Sequence, residues 1–189
     1  MVNKSNTLVI HPKDDSTVML KNVYEGKGFD VIDDPDVSRA ELIDAIKSHQ
    51  RIIFLGHGTP GGLIHPCMLK MHSMPIGGIK YIVDDSIAPY LRGKDTISMW
   101  CFSNEYFQRN HLPGFHTGMI ISERREALMM LGKCPLTDGQ LFDSMVHLAK
   151  LLGECLDEPP VVMREYILNH YIGNDAITQF NRENFTIVN

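Results

Sequence analysis

The sequence predicts an α/β fold in which a mostly parallel β-sheet carries helices on both faces. Short runs rich in Val, Ile and Leu alternate with longer amphipathic stretches, which is the pattern of strands joined by crossover helices. The runs are apolar throughout, and this predicts strands that are covered on both faces. With 189 residues, 43% of them hydrophobic and 22% charged, the chain is expected to form a single domain over residues 1–189.

Five segments are predicted to be strands because each is a short apolar run bounded by polar or turn-forming residues. They are residues 7–11, 29–33, 51–56, 96–101 and 118–122. The stretch 61–83 has no regular period and contains three interruptions by Gly or Pro, so we predict a hairpin or a covering flap there.

Helices are predicted where apolar residues recur at helical spacing between start and stop signals. Ser38 and Glu41 lie in the pattern SRAE, a capping box that begins a helix. Gly132 is a stop signal, and Pro160 suits the first turn of a helix. The predicted helices cover residues 15–25, 38–49, 84–91, 123–131, 140–156 and 160–171. Residues 132–189 are therefore expected to be a mostly helical region of the same domain.

Charge and composition limit the possible partners. The net charge is −5, and the largest cluster of basic residues is the pair Arg124 and Arg125, which argues against binding to nucleic acid or to an anionic membrane. The first apolar run is too short for a signal peptide or a membrane span, so we expect a cytoplasmic protein. No phosphate-binding glycine loop is present, and no cofactor is implied. The four cysteines are expected to be free thiols.

His57 and Cys101 are the two candidate catalytic residues. His57 follows the predicted strand 51–56 within the triplet Gly-His-Gly, and Cys101 closes the predicted strand 96–101. Ligands of doubly wound sheets bind outside the carboxyl ends of the strands, and neighbouring strands lie about 5 Å apart. We therefore expect the thiol and the imidazole to face one crevice and to share one substrate.

This pair suits acyl transfer. If Ser103 caps the following helix, the helix dipole and a nearby imidazolium lower the pKa of Cys101 and favour the thiolate, which attacks carbonyl groups. His57 would protonate the leaving amine, and backbone N–H groups around Gly58 and Cys101 would bind the oxyanion, worth about 3 kcal/mol per donor in other enzymes. Cys101 is then expected to be alkylated before the other three thiols, namely Cys67, Cys134 and Cys155.

The two motifs together resemble the caspase-like cysteine peptidases, which include clostripain, the gingipains, legumain and separase. The stretch IIFLGHGTPGG is similar to the His-Gly-Gly-Gly loop of the clostripain group. Cys101 follows His57 by about 44 positions, close to the roughly 50 of caspases. The resemblance covers about residues 8–126. It implies a three-layer caspase-like (flavodoxin-like) fold and a cysteine endopeptidase that hydrolyses peptide bonds, with Cys101 as nucleophile and His57 as general acid and base.

The stretch GMIISE also resembles the segment after the nucleophile in the clostripain group. Its last two residues, Ser122 and Glu123, are candidates for binding the polypeptide substrate, and so is His116. The caspase signature Q-A-C-x-G is absent. Met99 stands where clostripain-like enzymes carry an acidic specificity residue, so a preference for Arg or Lys is not implied.

Other readings of the same residues remain open. The first is a catalytically silent caspase-like domain that binds a peptide or a partner protein in the same cleft. The second is a flavodoxin-like module that binds a small ligand. An α/β-hydrolase would need a G-x-S-x-G elbow, which the sequence lacks, and a glutamine amidotransferase would need glycines where Trp100 and Phe102 flank Cys101.

Two further groups of residues are interpreted as structural or incidental. His65, Cys67 and His72 are close in sequence, but no second Cys/His pair with zinc-finger spacing accompanies them, so no metal site is predicted. Met129 and Met130 are interpreted as residues that fill the core.

Overall fold

A computed structural model describes residues 6–70 and 78–189, which fold around a six-stranded sheet. Along the chain the strands are β1 (Thr7–Ile10), β2 (Asp30–Ile32), β3 (Arg51–Leu55), β4 (Gly58–Thr59), β5 (Gly62–Ile64), β6 (Tyr81–Val83), β7 (Asp95–Met99), β8 (Gly114–Thr117) and β9 (Phe185–Val188). The main sheet has the order β2-β1-β3-β7-β8-β9, in which only β9 is antiparallel to its neighbour. The predicted α/β fold with a mostly parallel sheet is confirmed.

The remaining three strands, β4, β5 and β6, form a small antiparallel sheet within the stretch predicted to be a flap. The α-helices are α1 (Arg39–Ser48), α2 (Ala88–Leu91), α3 (Ser103–Arg109), α4 (Arg124–Leu131), α5 (Asp138–Glu154), α6 (Pro160–His170) and α7 (Ala176–Glu183). The segments Asp15–Val23 and Pro66–Lys70 are 3-10 helices. In the ranges that the model describes, no helix is both long and apolar enough to cross a membrane.

Alternation along the strands supplies a core on each face of the sheet. Val9 and Ile53 face one side, where they pack with the 3-10 helix Asp15–Val23 and with α5 and α6. Leu8 and Ile52, their neighbours along β1 and β3, face the other side and pack with residues of α1, α2 and α3. The strands are apolar throughout because both of their faces are buried.

The predicted strand 118–122 is wrong, because the strand in this part of the chain is β8, which begins four residues earlier and ends at Thr117. Residues 119–121 are buried, which explains their apolar character, but they pair with no strand of the described chain. The side chain of Asn181 supplies the missing backbone partners instead. Its Oδ1 accepts from the N–H of Ile121 at 2.7 Å, and its Nδ2 donates to the carbonyl of Ile121 at 2.8 Å.

The carboxyl-terminal segment also differs from expectation, because α7 and β9 were not predicted. Asp175 caps α7 by accepting from two backbone N–H groups, and the chain then returns to pair β9 with β8. At the junction, the Asn184 carbonyl accepts from the N–H of Gly118 at 2.8 Å. Asn181 and Asn184 therefore hold the segment that follows β8. The predicted helix 84–91 is also shorter than expected, since only α2 is helical.

Candidate active site

His57 and Cys101 each lie two residues past the end of a strand, and those strands are neighbours. β3 and β7 pair in parallel, with Leu55 opposite Met99 at the last position of the register. The chain leaves β1 for β2 on one side and later returns to β3 on the other, so the strand order reverses at β1. His57 therefore lies at the switch point where ligands of open α/β sheets bind.

The loop after β1 supplies the partners of His57. Nε2 of His57 lies 2.7 Å from Oγ of Ser16 and 3.1 Å from Oδ2 of Asp14. The Ser16 hydroxyl also donates to the same carboxylate oxygen. The side chains of His57 and Asp14 are only 16% and 14% exposed, so this contact is largely shielded from water.

These contacts fix the orientation of the imidazole. A carboxylate accepts hydrogen bonds and donates none, so the hydrogen of His57 belongs on Nε2, facing Asp14. The other ring nitrogen, Nδ1, is then the one that can take a proton from a nucleophile. An adjacent carboxylate would also stabilise an imidazolium formed by such a transfer.

Cys101 and His57 line one cavity of about 20 Å³, which has room for about one water molecule. Met99, Ile120 and Met145 contribute apolar walls to it. The two catalytic candidates therefore meet at one site. In the described chain no hydrogen bond joins them, since the Cys101 thiol donates to the carbonyl of Ile120 at 3.5 Å.

The expected low pKa of Cys101 is wrong. Burial raises the pKa of this thiol to about 12, and the negative charge of Glu126 adds to the rise. The resting thiol is therefore neutral at physiological pH.

The backbone turns sharply beside the candidate nucleophile. Phe102, and not Ser103, is the residue that caps α3, and it adopts the left-handed conformation with φ 64° and ψ 27°. A bulky residue in this region is strained, and such strain clusters at functional sites. Ser103 is the first residue of α3, and its hydroxyl donates to the carbonyl of Thr117 at 3.0 Å. The turn at Phe102 changes the direction of the chain between Cys101, which lines the cavity, and α3.

Gly58 has a packing role that the sequence did not reveal. A methyl group placed on Gly58 would lie 2.0 Å from the indole ring of Trp100, which is buried against this glycine. The N–H of Ile64 donates to the carbonyl of His57, so alternation makes Gly58 and Leu63 a non-hydrogen-bonded pair. The N–H of Gly58 consequently points away from β5 and is not used in the pairing of β4 with β5.

Ser122 lies at the site, and Glu123 lies beside it. Ser122 lines the cavity shared by the two catalytic candidates, whereas Glu123 is exposed on an adjoining groove. Both N–H groups and the Ser122 hydroxyl donate to Oε2 of Glu126, at 2.7 to 3.0 Å. This network begins α4 and brings the Glu126 carboxylate close to Cys101.

His116 does not reach the cleft. It lies on β8 with 0% exposure, its ring stacked on Phe107 with the ring centroids 3.7 Å apart. Its Nδ1 is 2.7 Å from Oγ of Ser98. The apolar surroundings make His116 a core residue, so its assignment as a substrate-binding candidate was wrong.

We expect the protein to lose stability as the pH falls below about 6.5, because two buried histidines resist protonation. Burial lowers the pKa of His11 to about 4 and that of His116 to about 3, from 6.5 in the unfolded chain. The unfolded state then binds more protons, which costs about 2–3 kcal/mol per histidine by pH 4.5. Urea denaturation at several pH values in this range measures how steeply the free energy of unfolding falls with pH. In His116→Gln the free energy of unfolding should fall less steeply with decreasing pH, and in His147→Gln, an exposed control, its pH dependence should be unchanged. The same pH dependence in all three proteins would contradict the prediction.

The raised pKa also reverses the expected order of thiol reactivity. All four cysteines are free, and Cys67 is exposed whereas Cys155 is buried. Under limiting iodoacetamide at about pH 6.5, we expect Cys67 to react first and Cys101 to react slowly, since the thiolate is the reactive form. Site-resolved mass spectrometry measures the order. Glu126→Gln removes a nearby negative charge and should speed the alkylation of Cys101, and Cys101 reacting first in the unmodified protein would contradict this account.

Two structural interpretations have different outcomes. Met129 is 71% exposed and Met130 38% exposed on α4, so the interpretation that they fill the core is wrong. Nε2 of His65 lies 3.1 Å from Oδ1 of Asp36, and His72 lies outside the described residues. Among the residues that are described, no group of three His, Cys, Asp or Glu side chains is placed to hold a metal ion.

Asp14 and Ser16 are the site residues that sequence reasoning missed. They stand in the stretch HPKDDS directly after β1, the strand that pairs with both β2 and β3. The position of this stretch after a strand was the available signal. Without the strand order, nothing distinguished its acidic residues from those of an exposed loop.

Comparison of the chain with protein-family models, with curated proteins and with solved structures finds no match.

Proposed function

We propose that the protein is a cysteine peptidase of the caspase-like type, with Cys101 as nucleophile and His57 as general base and acid. The proposal rests on one observation. Cys101 and His57 follow neighbouring strands and line one cavity, and Oδ2 of Asp14 lies 3.1 Å from Nε2 of His57. A nucleophile, a base and a group that orients the base form the constellation that acyl transfer requires.

The chemistry proceeds from a neutral thiol. When a polypeptide occupies the cleft, Nδ1 of His57 takes the proton as Sγ of Cys101 bonds to the carbonyl carbon, and the electron pair of the carbonyl moves to oxygen. The N–H groups of Gly58 and Cys101 are the donors for that oxyanion. Collapse of the intermediate breaks the C–N bond, and His57 gives its proton to the leaving amine. Water then hydrolyses the thioester, and the thiol is regenerated.

A second candidate function is a silent domain that binds polypeptides in the same cleft. The high pKa of Cys101 and its hydrogen bond to Ile120 favour this candidate, because both hold the thiol in its unreactive form. The two functions share a ligand class and differ in whether the ligand is cleaved.

Digestion of a denatured, fluorescently labelled protein substrate tests the proposal. The unmodified protein and Cys67→Ala, which removes an exposed thiol that does not line the cavity, should both release fragments. Cys101→Ala should release none. If all three proteins leave the substrate intact, the silent binding domain replaces the peptidase, and if Cys101→Ala cleaves normally, the nucleophile is misassigned.

A further inference from the structure

A groove of about 220 Å³ adjoins the cavity that contains Cys101 and His57. It lies beside the amino-terminal part of α5, and we call it the α5 groove. Ser16, Met19 and Ser122 line both the cavity and the groove. A ligand that reaches the thiol can therefore extend into the α5 groove without leaving the surface.

The wall of the α5 groove is apolar. Met19 and Leu141 are 6% and 2% exposed and belong to the core, so they form a fixed surface. Phe142 is different, because it keeps 43% of its surface exposed beside this wall. The groove is smaller than the roughly 300–1,000 Å³ typical of sites for drug-sized ligands, so it suits one side chain and not a whole small molecule.

The rim of the α5 groove carries excess negative charge. The guanidinium of Arg124 lies 3.2 Å from Asp138, so these two charges compensate each other. Asp15 and Glu123 are exposed on the same rim, and neither forms an ion pair with another residue of the described chain. A cation next to an apolar group is the complement of such a surface.

We propose that the α5 groove binds an apolar side chain of a polypeptide, with a basic residue beside it that contacts Asp15 and Glu123. The inference rests on the proposed function, because the same polypeptide occupies the cavity at Cys101. It adds the substrate class: an extended segment in which an aromatic or long aliphatic residue neighbours Lys or Arg. Phe142 contributes specificity through contact with the apolar side chain.

Binding to the Cys101→Ala protein tests this proposal without the need for turnover. Fluorescence anisotropy would measure the affinity for short fluorescein-labelled Gly/Ser peptides that contain a central Phe-Lys pair. We expect replacement of Phe by Ser in the peptide to weaken binding about tenfold or more, and replacement of Lys by Glu to weaken it by about fivefold. Phe142→Ser should bring the Phe and Ser peptides within about twofold of each other, whereas Ile172→Ser, an equally apolar change at an exposed site away from the groove, should keep the difference.

Glu123→Gln should likewise reduce the preference for Lys over Glu. Glu158→Gln, a matched change at an exposed carboxylate that does not line the groove, should leave this preference unchanged. If Phe142→Ser still prefers the Phe peptide to the Ser peptide as strongly, the proposed binding in the α5 groove is overturned. The proposed peptidase activity is not affected by that result. The proposed binding in the α5 groove is also overturned if none of the peptides binds at about 1 mM although the unmodified protein digests denatured protein. If the peptides do not bind and no protein is digested, the groove and the proposed function both fail.

Discussion

We expect His57→Ala to lower kcat/KM for peptide hydrolysis by about 10³- to 10⁴-fold, because general acid–base catalysis typically contributes 10² to 10⁴. In the proposed mechanism, a neutral thiol makes catalysis depend strongly on the base. Burial holds the pKa of Cys101 near 12, so almost no thiolate exists before His57 accepts the proton. Steady-state hydrolysis of a fluorogenic peptide measures the loss.

Asp14→Asn is expected to act through His57 and to lower kcat by about tenfold to a hundredfold while KM stays within about twofold. The amide is similar in size but lacks the charge that stabilises the imidazolium. Asp44→Asn, a change at an exposed carboxylate on α1, should leave both constants unchanged. More than a tenth of the activity remaining in His57→Ala, or an equal loss in Asp44→Asn, would contradict the assignment of these roles.

We expect Gly58→Ala to reduce the free energy of unfolding by about 2–3 kcal/mol, through overpacking of a well-filled core. The added methyl group has no free space, since it would lie 2.0 Å from a carbon of the Trp100 ring. Trp100 cannot retreat easily, because it is 1% exposed and contacts Phe54, Tyr106 and Phe107. Urea denaturation gives the value.

Gly139→Ala is the matched control for this change. Gly139 lies near the start of α5 with no atom within 4 Å of an added methyl group, so alanine there should stabilise the fold by about 0.4–1 kcal/mol. Combining Gly58→Ala with Trp100→Phe should recover part of the lost stability, since the smaller ring gives space. If Gly58→Ala unfolds like the unmodified protein, the close packing of Gly58 on Trp100 is refuted.

The sequence was sufficient to predict the elements whose causes are local. The capping box at Ser38 begins α1 as expected, since its two hydrogen bonds involve residues three apart. Continuous apolar runs also predicted buried strands. The segment 118–122 misled the prediction because burial produces the same apolar run as a strand, and its backbone partner, Asn181, lies about 60 positions away.

The candidate site was only partly predictable for the same reason. His57 and Cys101 follow apolar strands, and the rule for ligands of parallel sheets brings them together. Asp14 contacts His57 only because β1 lies beside β3, and the residues of the two loops do not indicate this strand order. The pKa of Cys101 depends on the depth of the cavity and on Glu126, neither of which follows from the position of a cysteine before a helix.

The contacts of Asn181, Asn184 and β9 with β8 and the segment after it have a consequence for biosynthesis. Ribosomes make the chain from its amino terminus, so both catalytic candidates emerge well before Asn181 and β9. In the folded chain Asn181 and β9 hold Ile121 and β8, which flank the segment whose Ile120 carbonyl accepts from the Cys101 thiol. The candidate site is therefore completed only after residues 181–188 have been made, and a translation product that stops before them carries the thiol and the imidazole without the contacts that hold Ile121 and β8.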